Sequence, residues 1–416
     1  MGNQVTIDGI IEAERNLAPV VKKTELQLNS NLSKRYNAQI FLKREDLQLV
    51  RSYKLRGAYN AISNLNEEQL SNGIVCASAG NHAQGVAFAC QAKKIKGTIF
   101  MPSTTPNQKI NQVKMFGGDY VKLKITGDTF DDSYDQANTY CTENSKTFIH
   151  PFDNPKVIEG QATVGVEIFK DFVGEIDYIL IAIGGGGLSA GICEYFNHVS
   201  PKTKIIGVEP AGAPSMKTSI DQGQVVELEH INKFVDGAAV KKVGETNFPI
   251  CQKYLSEVLI VDEGKVCSSI IELYNKEAIV AEPAGALTVA ALDQIKGEIK
   301  DKNVVCIVSG SNNDLARMEE IKERSLLYEG LKHYFVIRFP QRSGALREFL
   351  DNVLGPNDDI THFEYTKKRA RESGPAIVGI ELTDKNDYQG LIERMNKYKI
   401  DYKKLNEDPT LFEYFI

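Results

Sequence analysis

Residues 176–196 read IDYILIAIGGGGLSAGICEYF. The opening IDYILIAI is an apolar run of strand length, LSAGICEYF carries a helical pattern, and Gly184, Gly185, Gly186 and Gly187 join them. A bare tight turn does not need four glycines. Without side chains, successive N–H groups can converge on a phosphate at the helix N-terminus. Gly185, Gly187 and Ala190 also satisfy a loose G-x-G-x-x-A pattern, and Glu209 ends the next strand where a ribose-binding acid would sit. Read alone, this segment leaves dinucleotide binding open.

Working outward, short β-branched runs alternate with helical patterns from about residue 39 to 310. QIFLKRED, KLRGAYNAISNL, GIVCAS, AQGVAFACQAKK, GTIFMP, NQKINQVKMF and YVKLKI come before the glycines; KIIGVE, GALTVAALDQI and NVVCIV follow them. This alternation predicts an α/β fold with parallel sheets, whose ligands bind at the C-terminal ends of the strands. Three more motifs fall at such ends or beside them. Ser52-Tyr53-Lys54-Leu55-Arg56-Gly57-Ala58 sets a lysine beside an aromatic ring at a helix start. Lysine is ordinarily a solvated surface residue; the functional reading is a Schiff-base amine that later moves a proton. Ser78-Ala79-Gly80-Asn81-His82-Ala83-Gln84-Gly85 closes GIVCAS and opens a helix, where small residues expose N–H groups to an anion such as a carboxylate. An ordinary helix cap would use the same residue types. Ser309-Gly310-Ser311-Asn312-Asn313 follows NVVCIV and, by itself, is a turn sequence.

The chain has 416 residues and a formal net charge of −6, so it is long enough for two or three domains and lacks the basic excess of a nucleic-acid binder. A small-molecule substrate is the remaining expectation. The cysteines at 76, 90, 141, 193, 251, 267 and 306 form no CxxC pair and mostly sit in apolar runs, which predicts reduced, buried thiols. No stretch approaches the roughly 20 apolar residues of a membrane span, and no signal-peptide layout is present. A cytoplasmic location, with no membrane partner, is expected.

After about residue 325 the pattern changes to strand HYFVIRF, helix GALREFLDNVL, strands ITHFEYT and AIVGIEL, helix DYQGLIERMNKY and a last strand near YKKL. This βαββαβ order predicts a separate ferredoxin-like module. The charged stretch MEEIKERSLLYEGLK reads as a helical connector. Expected boundaries are 1–325, with a smaller subdomain at about 50–150 inserted in a larger one, and 326–416.

In order and spacing, the four motifs resemble the fold-type II pyridoxal-phosphate enzymes, the tryptophan synthase β-like fold with two open twisted sheets. From about residue 5 to the end the chain resembles the short, regulated biosynthetic threonine dehydratases, through FLKREDLQ, SYKLRGAYNAI, SAGNHAQGVA, IGGGGLSAG, GVEPAGAPSM, VDGAAV, AEPAGA and SGSNND. The tail resembles an ACT-like regulatory domain through YFVIRFPQRSGALREFL and DDITHFEY. The resemblance implies that Lys54 carries pyridoxal 5′-phosphate and is the catalytic base, and that Gly184 to Gly187 with Leu188 cup the phosphate. It also implies that Tyr53 lines the site, Asn81 contacts the ring hydroxyl, Ser309 faces the pyridine nitrogen, and Ser78, Ala79, Gly80, Asn81 and His82 bind the substrate. The implied reaction is dehydration and deamination of L-threonine, with L-serine as a side substrate. Isoleucine is the implied allosteric inhibitor, valine an opposing effector, and a homotetramer the assembly.

Three positions depart from the relatives. Tyr53 stands where many have Phe, Ser343 where they commonly have Pro, and Ala79 where related serine racemases place a serine base. The sequence after Glu209 reads Pro-Ala-Gly-Ala-Pro-Ser, without the downstream carboxylate that would complete a divalent cation site, so no metal is expected. A serine dehydratase or racemase, a nicotinamide-dependent oxidoreductase and a non-catalytic amino-acid sensor are the competing readings.

Overall fold

The structure is a computed structural model in which residues 4–365 and 373–407 are described. Two compact units emerge. The first is Met1–Glu263 with Leu273–Asp314, and the second is Gly264–Glu272 with Leu315–Ile416.

The first unit holds two open sheets. A six-stranded sheet runs in the order Leu26–Leu28, Gln39–Arg44, Asn303–Val308, Tyr178–Ala182, Lys204–Pro210 and Glu257–Val261, parallel throughout except for its first edge strand. A four-stranded parallel sheet runs Val121–Ile125, Gly97–Met101, Ile74–Ala77 and Thr147–Phe148. Every residue of Ile74–Ala77 and Gly97–Met101 is buried, as expected of strands covered by helices on both faces. All seven cysteines are buried.

The helix Pro155–Asp171 determines where the site lies. Asn154 caps it, its side chain accepting from Lys156 N and Val157 N, and Pro155 occupies the first turn, where its missing N–H costs nothing. Two further helices seat on it at backbone contact. A Cβ at Gly160 would lie 2.4 Å from the Arg56 carbonyl oxygen, and a Cβ at Gly191 would lie 2.7 Å from the Ile158 carbonyl oxygen. The helices Lys54–Ser63 and Gly187–Val199, which carry the lysine and follow the glycine loop, therefore share one support.

The second unit contains an antiparallel sheet ordered Asp359–Tyr365, Ser373–Glu381, Lys332–Pro340, Asp401–Lys404, with helices Ala345–Val353 and Asp387–Lys397. Phe335, Ile337, Phe349, Val378, Ile380 and Leu391 form its core. This is the expected ferredoxin-like order. Thr366, the last residue of the expected ITHFEYT strand, lies outside the described residues. Met318–Tyr328 is a helix. Among the described residues no helix is long and apolar enough to cross a membrane.

Candidate active site

Lys54 is the first residue of its helix and follows Tyr53, whose amide donates to the Ser309 carbonyl oxygen at 3.2 Å. One backbone hydrogen bond thus joins two motifs that are far apart in sequence. The Lys54 amine donates to the Pro151 carbonyl oxygen at 3.3 Å and stands 5.2 Å from the Tyr53 ring centroid. Desolvation lowers its pKa to about 8, against the opposing attraction of Glu282. An amine so placed deprotonates at far less cost than a solvated lysine, as both Schiff-base formation and proton abstraction require. Burial, and then the Glu282 charge, raise the Tyr53 phenol above its usual range, so its ring is neutral lining.

Two residues on, Arg56 fastens this helix from below. Its guanidinium donates to Glu45 at 2.8 and 2.9 Å and to Glu167 at 2.7 and 3.0 Å. Lys43 completes the cluster with a 2.6 Å bond to Glu167. Burial alone would lower the Arg56 pKa, but Glu45 and Glu167 outweigh it and keep the group charged.

The four glycines follow the strand Tyr178–Ala182 and lead into the helix Gly187–Val199. Gly186 has φ +91°, a left-handed conformation that other residues adopt only with strain. A Cβ at Gly185 would lie 2.2 Å from the Phe152 ring, and one at Gly187 would lie 2.6 Å from Gln161 Oε1. Asn247 donates to the Gly185 carbonyl at 2.7 Å and steadies the loop. No side chain caps the helix, so its first amides remain available to an anion, and Leu188 behind them is buried.

Ser78, Ala79, Gly80 and Asn81 are half-buried and lead into the helix Asn81–Lys93, which likewise has no side-chain cap. A Cβ at Gly80 would meet nothing within 4 Å, so the loop borders open space. Asn81 Nδ2 donates to Glu282 Oε1 at 2.6 Å, and Asn312 Nδ2 donates to Asn81 Oδ1 at 2.7 Å. His82 turns away from this edge. Its Nε2 pairs with the Ile149 carbonyl oxygen at 2.9 Å, and burial lowers its pKa to about 3. Nearby His150 accepts from Asp153 N at 2.8 Å through Nδ1, and burial lowers its pKa to about 4. Near neutral pH neither imidazole can act as an acid.

These residues fit pyridoxal 5′-phosphate. The depressed amine suits an aldehyde, the uncapped glycine helix suits a phosphate, and Ser309 offers a neutral hydroxyl at the end of Asn303–Val308. Buried polar atoms around the site, including Ser52 Oγ, Gln161 Oε1, Asn247 Oδ1 and Asn312 Oδ1, have no partner within the protein. The dinucleotide reading loses its acid here. Glu209 is buried and accepts from Met216 N at 2.7 Å and Lys217 N at 2.8 Å, so it caps the following helix instead of facing a ribose. Among the described residues no cluster of His, Cys, Asp or Glu has the form of a metal site.

Glu282, Phe152, Asn247 and Gln161 were not singled out from the sequence, and Asn312 stood in the fourth motif without a role of its own. Glu282 and Asn312 stood within AEPAGA and SGSNND, which was a usable signal. The other three come from segments with no motif and are brought in by tertiary packing alone.

The chain matches the family described as pyridoxal-phosphate dependent enzyme over residues 17–310, and the C-terminal regulatory domain of threonine dehydratase over residues 323–415. It is similar to the biosynthetic L-threonine dehydratase IlvA of Halalkalibacterium halodurans, with 57% identity over 413 residues, 99% of this chain and 100% of that one. The Bacillus subtilis protein of the same name is 58% identical over 412 residues, covering 99% and 98%. Among solved structures, the processed form of threonine deaminase isoform 2 from Solanum lycopersicum superposes with a TM-score of 0.72 at 38% identity, over 78% of this chain and 96% of that one. Maize serine racemase superposes at 0.71 with 29% identity, over 78% and 98%.

Proposed function

We infer from its membership of the pyridoxal-phosphate-dependent enzymes, the family to which this chain belongs, that it is an L-threonine dehydratase producing 2-oxobutanoate and ammonia for isoleucine synthesis. The observation that carries the reading is the buried Lys54 amine, with its pKa lowered to about 8, following a Tyr53 whose amide is tied to Ser309, together with a glycine-led helix whose first amides have no side-chain cap. When bound, the cofactor supplies an electron sink for the pair left on the substrate Cα. Lys54 Nζ, beside the substrate Cα, would take the α-proton. The amides leading into Asn81–Lys93 hold the carboxylate, with Ser78 to Asn81 supplying that edge and His82 acting as scaffold. The β-hydroxyl would leave with a proton as water, offsetting the α-proton gained by Lys54, and one water would hydrolyse the released enamine to 2-oxobutanoate and ammonia. Ala79 carries no ionisable group, which supports elimination over racemisation. L-serine is a side substrate, since a pocket that holds a methyl group rejects its absence weakly.

The second unit carries regulation. A cavity of about 500 Å³ is lined by Phe339, Arg342, Gly344, Leu346, Phe363 and Tyr365, beside the N-terminus of the helix Ala345–Val353. Its aromatic and aliphatic walls suit a branched side chain, and the helix end suits a carboxylate. Isoleucine as inhibitor and valine as its opponent fit this cavity. Ser343, exposed in the same turn, leaves the backbone freer than proline would. A homotetramer in the cytoplasm completes the reading.

The decisive test is Lys54→Ala. It abolishes 2-oxobutanoate formation and the borohydride-fixed cofactor linkage. Fixation of the cofactor to a different lysine in that variant would overturn the assignment. Incubation with L-serine should yield pyruvate; D-serine formed at a comparable rate would favour the racemase reading.

A further inference from the structure

Glu282 is a buried acid that the reaction as described does not use. It stands at the N-cap of the helix Pro283–Ala290, yet its carboxylate does not cap that helix. It turns inward instead. Oε1 accepts from Asn81 Nδ2 at 2.6 Å, while the Glu282 amide donates to the Gly310 carbonyl oxygen at 3.1 Å. Gly310 is packed so closely that a Cβ there would lie 2.3 Å from Oε1. The other edge of Asn81 is held by Asn312, whose Nδ2 reaches Asn81 Oδ1 at 2.7 Å and the Val50 carbonyl oxygen at 2.9 Å.

A carboxylate can only accept, whereas a glutamine in its place could present either edge. With Glu282 ionised, Asn81 has one orientation, nitrogen toward Glu282 and oxygen toward Asn312, and its second N–H remains as a donor. We propose that Glu282 is a positioning residue whose negative charge locks the Asn81 amide nitrogen-inward, so that Asn81 offers a fixed donor to the oxygen substituent of the cofactor ring. This rests on the reading of the site as a pyridoxal-phosphate site.

The lock is pH-dependent. Burial raises the Glu282 carboxyl to about 7, with Asp236 adding to the rise, while the Asn81 bond, Lys109 and the Asn312 backbone oppose it. Lys54 and Tyr53 both feel its charge. Once protonated, Glu282 becomes a donor on one oxygen and the Asn81 orientation is no longer enforced.

Glu282→Gln separates this role from simple packing, because it keeps the shape and removes the charge. Pyridoxal 5′-phosphate is titrated into the cofactor-free full chain and its variants at several pH values, with far-UV circular dichroism as the check on folding. The unaltered chain should bind more tightly than E282Q by on the order of tenfold at pH 8.5, as expected for a charge-assisted hydrogen bond. The ratio should shrink toward one by pH 6. In an Asn81→Ala background, E282Q should add nothing. A constant ratio across pH, or an equal E282Q effect with and without Asn81, overturns the proposal. Should E282Q not fold, Asn81→Asp replaces it. Two acceptors would then face one another, and its affinity relative to the unaltered chain should fall as pH rises; parallel curves overturn the proposal. Failure of the unaltered chain to bind the cofactor at all would instead overturn the reading of the site.

Discussion

Arg56 and Glu45 meet in a two-pronged ion pair, Nε to Oε2 at 2.9 Å and Nη2 to Oε1 at 2.8 Å, with both side chains buried. Arg56 stands two residues after Lys54 in the first turn of the helix Lys54–Ser63, so the pair anchors that turn. Arg56→Met leaves Glu45 without its guanidinium and should cost about 3–5 kcal/mol, the usual penalty for breaking a buried pair from one side. Denaturant melts of the cofactor-free chain measure it. A loss under about 1 kcal/mol would mean that Lys43 and Thr24, whose hydroxyl donates to Glu45 Oε1 at 2.5 Å, can satisfy the two acids alone.

Gly160 and Gly80 make an internal contrast. Gly160→Ala drives a methyl group to within 2.4 Å of the Arg56 carbonyl oxygen, and should cost about 1–3 kcal/mol in stability and reduce kcat by shifting Lys54. Gly80→Ala meets no atom within 4 Å, so stability should change by no more than about 0.5 kcal/mol. Its methyl group does project into the open space beside the substrate loop, so KM for threonine should rise. Unchanged KM in a folded Gly80→Ala chain would remove this loop from the substrate site.

Buried imidazoles and buried carboxyls give pH dependences of opposite sign. His82 is held down to about 3 by burial, against about 6.5 in an unfolded chain, so the unfolded state binds more protons in that window. Its contribution is fully present above pH 6.5 and is lost as the pH falls. Glu209 is raised to about 7 by burial, so its protonated form is favoured in the fold and stability is lost as pH rises through 7. The stability difference between His82→Gln and the unaltered chain should therefore grow in favour of the variant from pH 6.5 down to 4. That of Glu209→Gln should grow in its favour from pH 5 up to 8. Each tenfold change in proton affinity is worth about 1.4 kcal/mol. Thermal melts across pH read both slopes, and a flat difference for either variant contradicts its assignment.

The cavity of the second unit is tested by Leu346→Asp. The side chain lines the cavity and is exposed, so folding should survive while an apolar effector side chain meets a charge. Threonine saturation curves with and without isoleucine should differ in the unaltered chain by a coupling of about 1–3 kcal/mol and coincide in the variant. Equal inhibition of both would place the effector elsewhere.

Much of the fold and of the site is legible in the sequence itself. The strand, glycine loop and helix of 176–196 are local in sequence, and so are SYKLRGA and SAGNHAQG, so periodicity and composition exposed them. The helix Pro155–Asp171 was not singled out. It is buried on most of its surface and so lacks a clear apolar stripe, although Asn154-Pro155 is a readable start signal. Glu282 shows the other limit. A glutamate at the head of AEPAGA resembles any acidic helix start until the fold turns its carboxylate inward onto an asparagine some two hundred positions earlier.

The helix Glu263–Glu277 begins and ends among the residues of the first unit, while its middle, Gly264–Glu272, groups with Leu315–Ile416. A genetic crossover at residue 315 would exchange the tail but leave those nine central residues with the parental sequence, where they would have to pair with companions they had not diverged alongside. Inheritance of the tail as a free-standing cassette is thereby handicapped. Chimeras between relatives should be most viable when residues 264–272 travel with the tail.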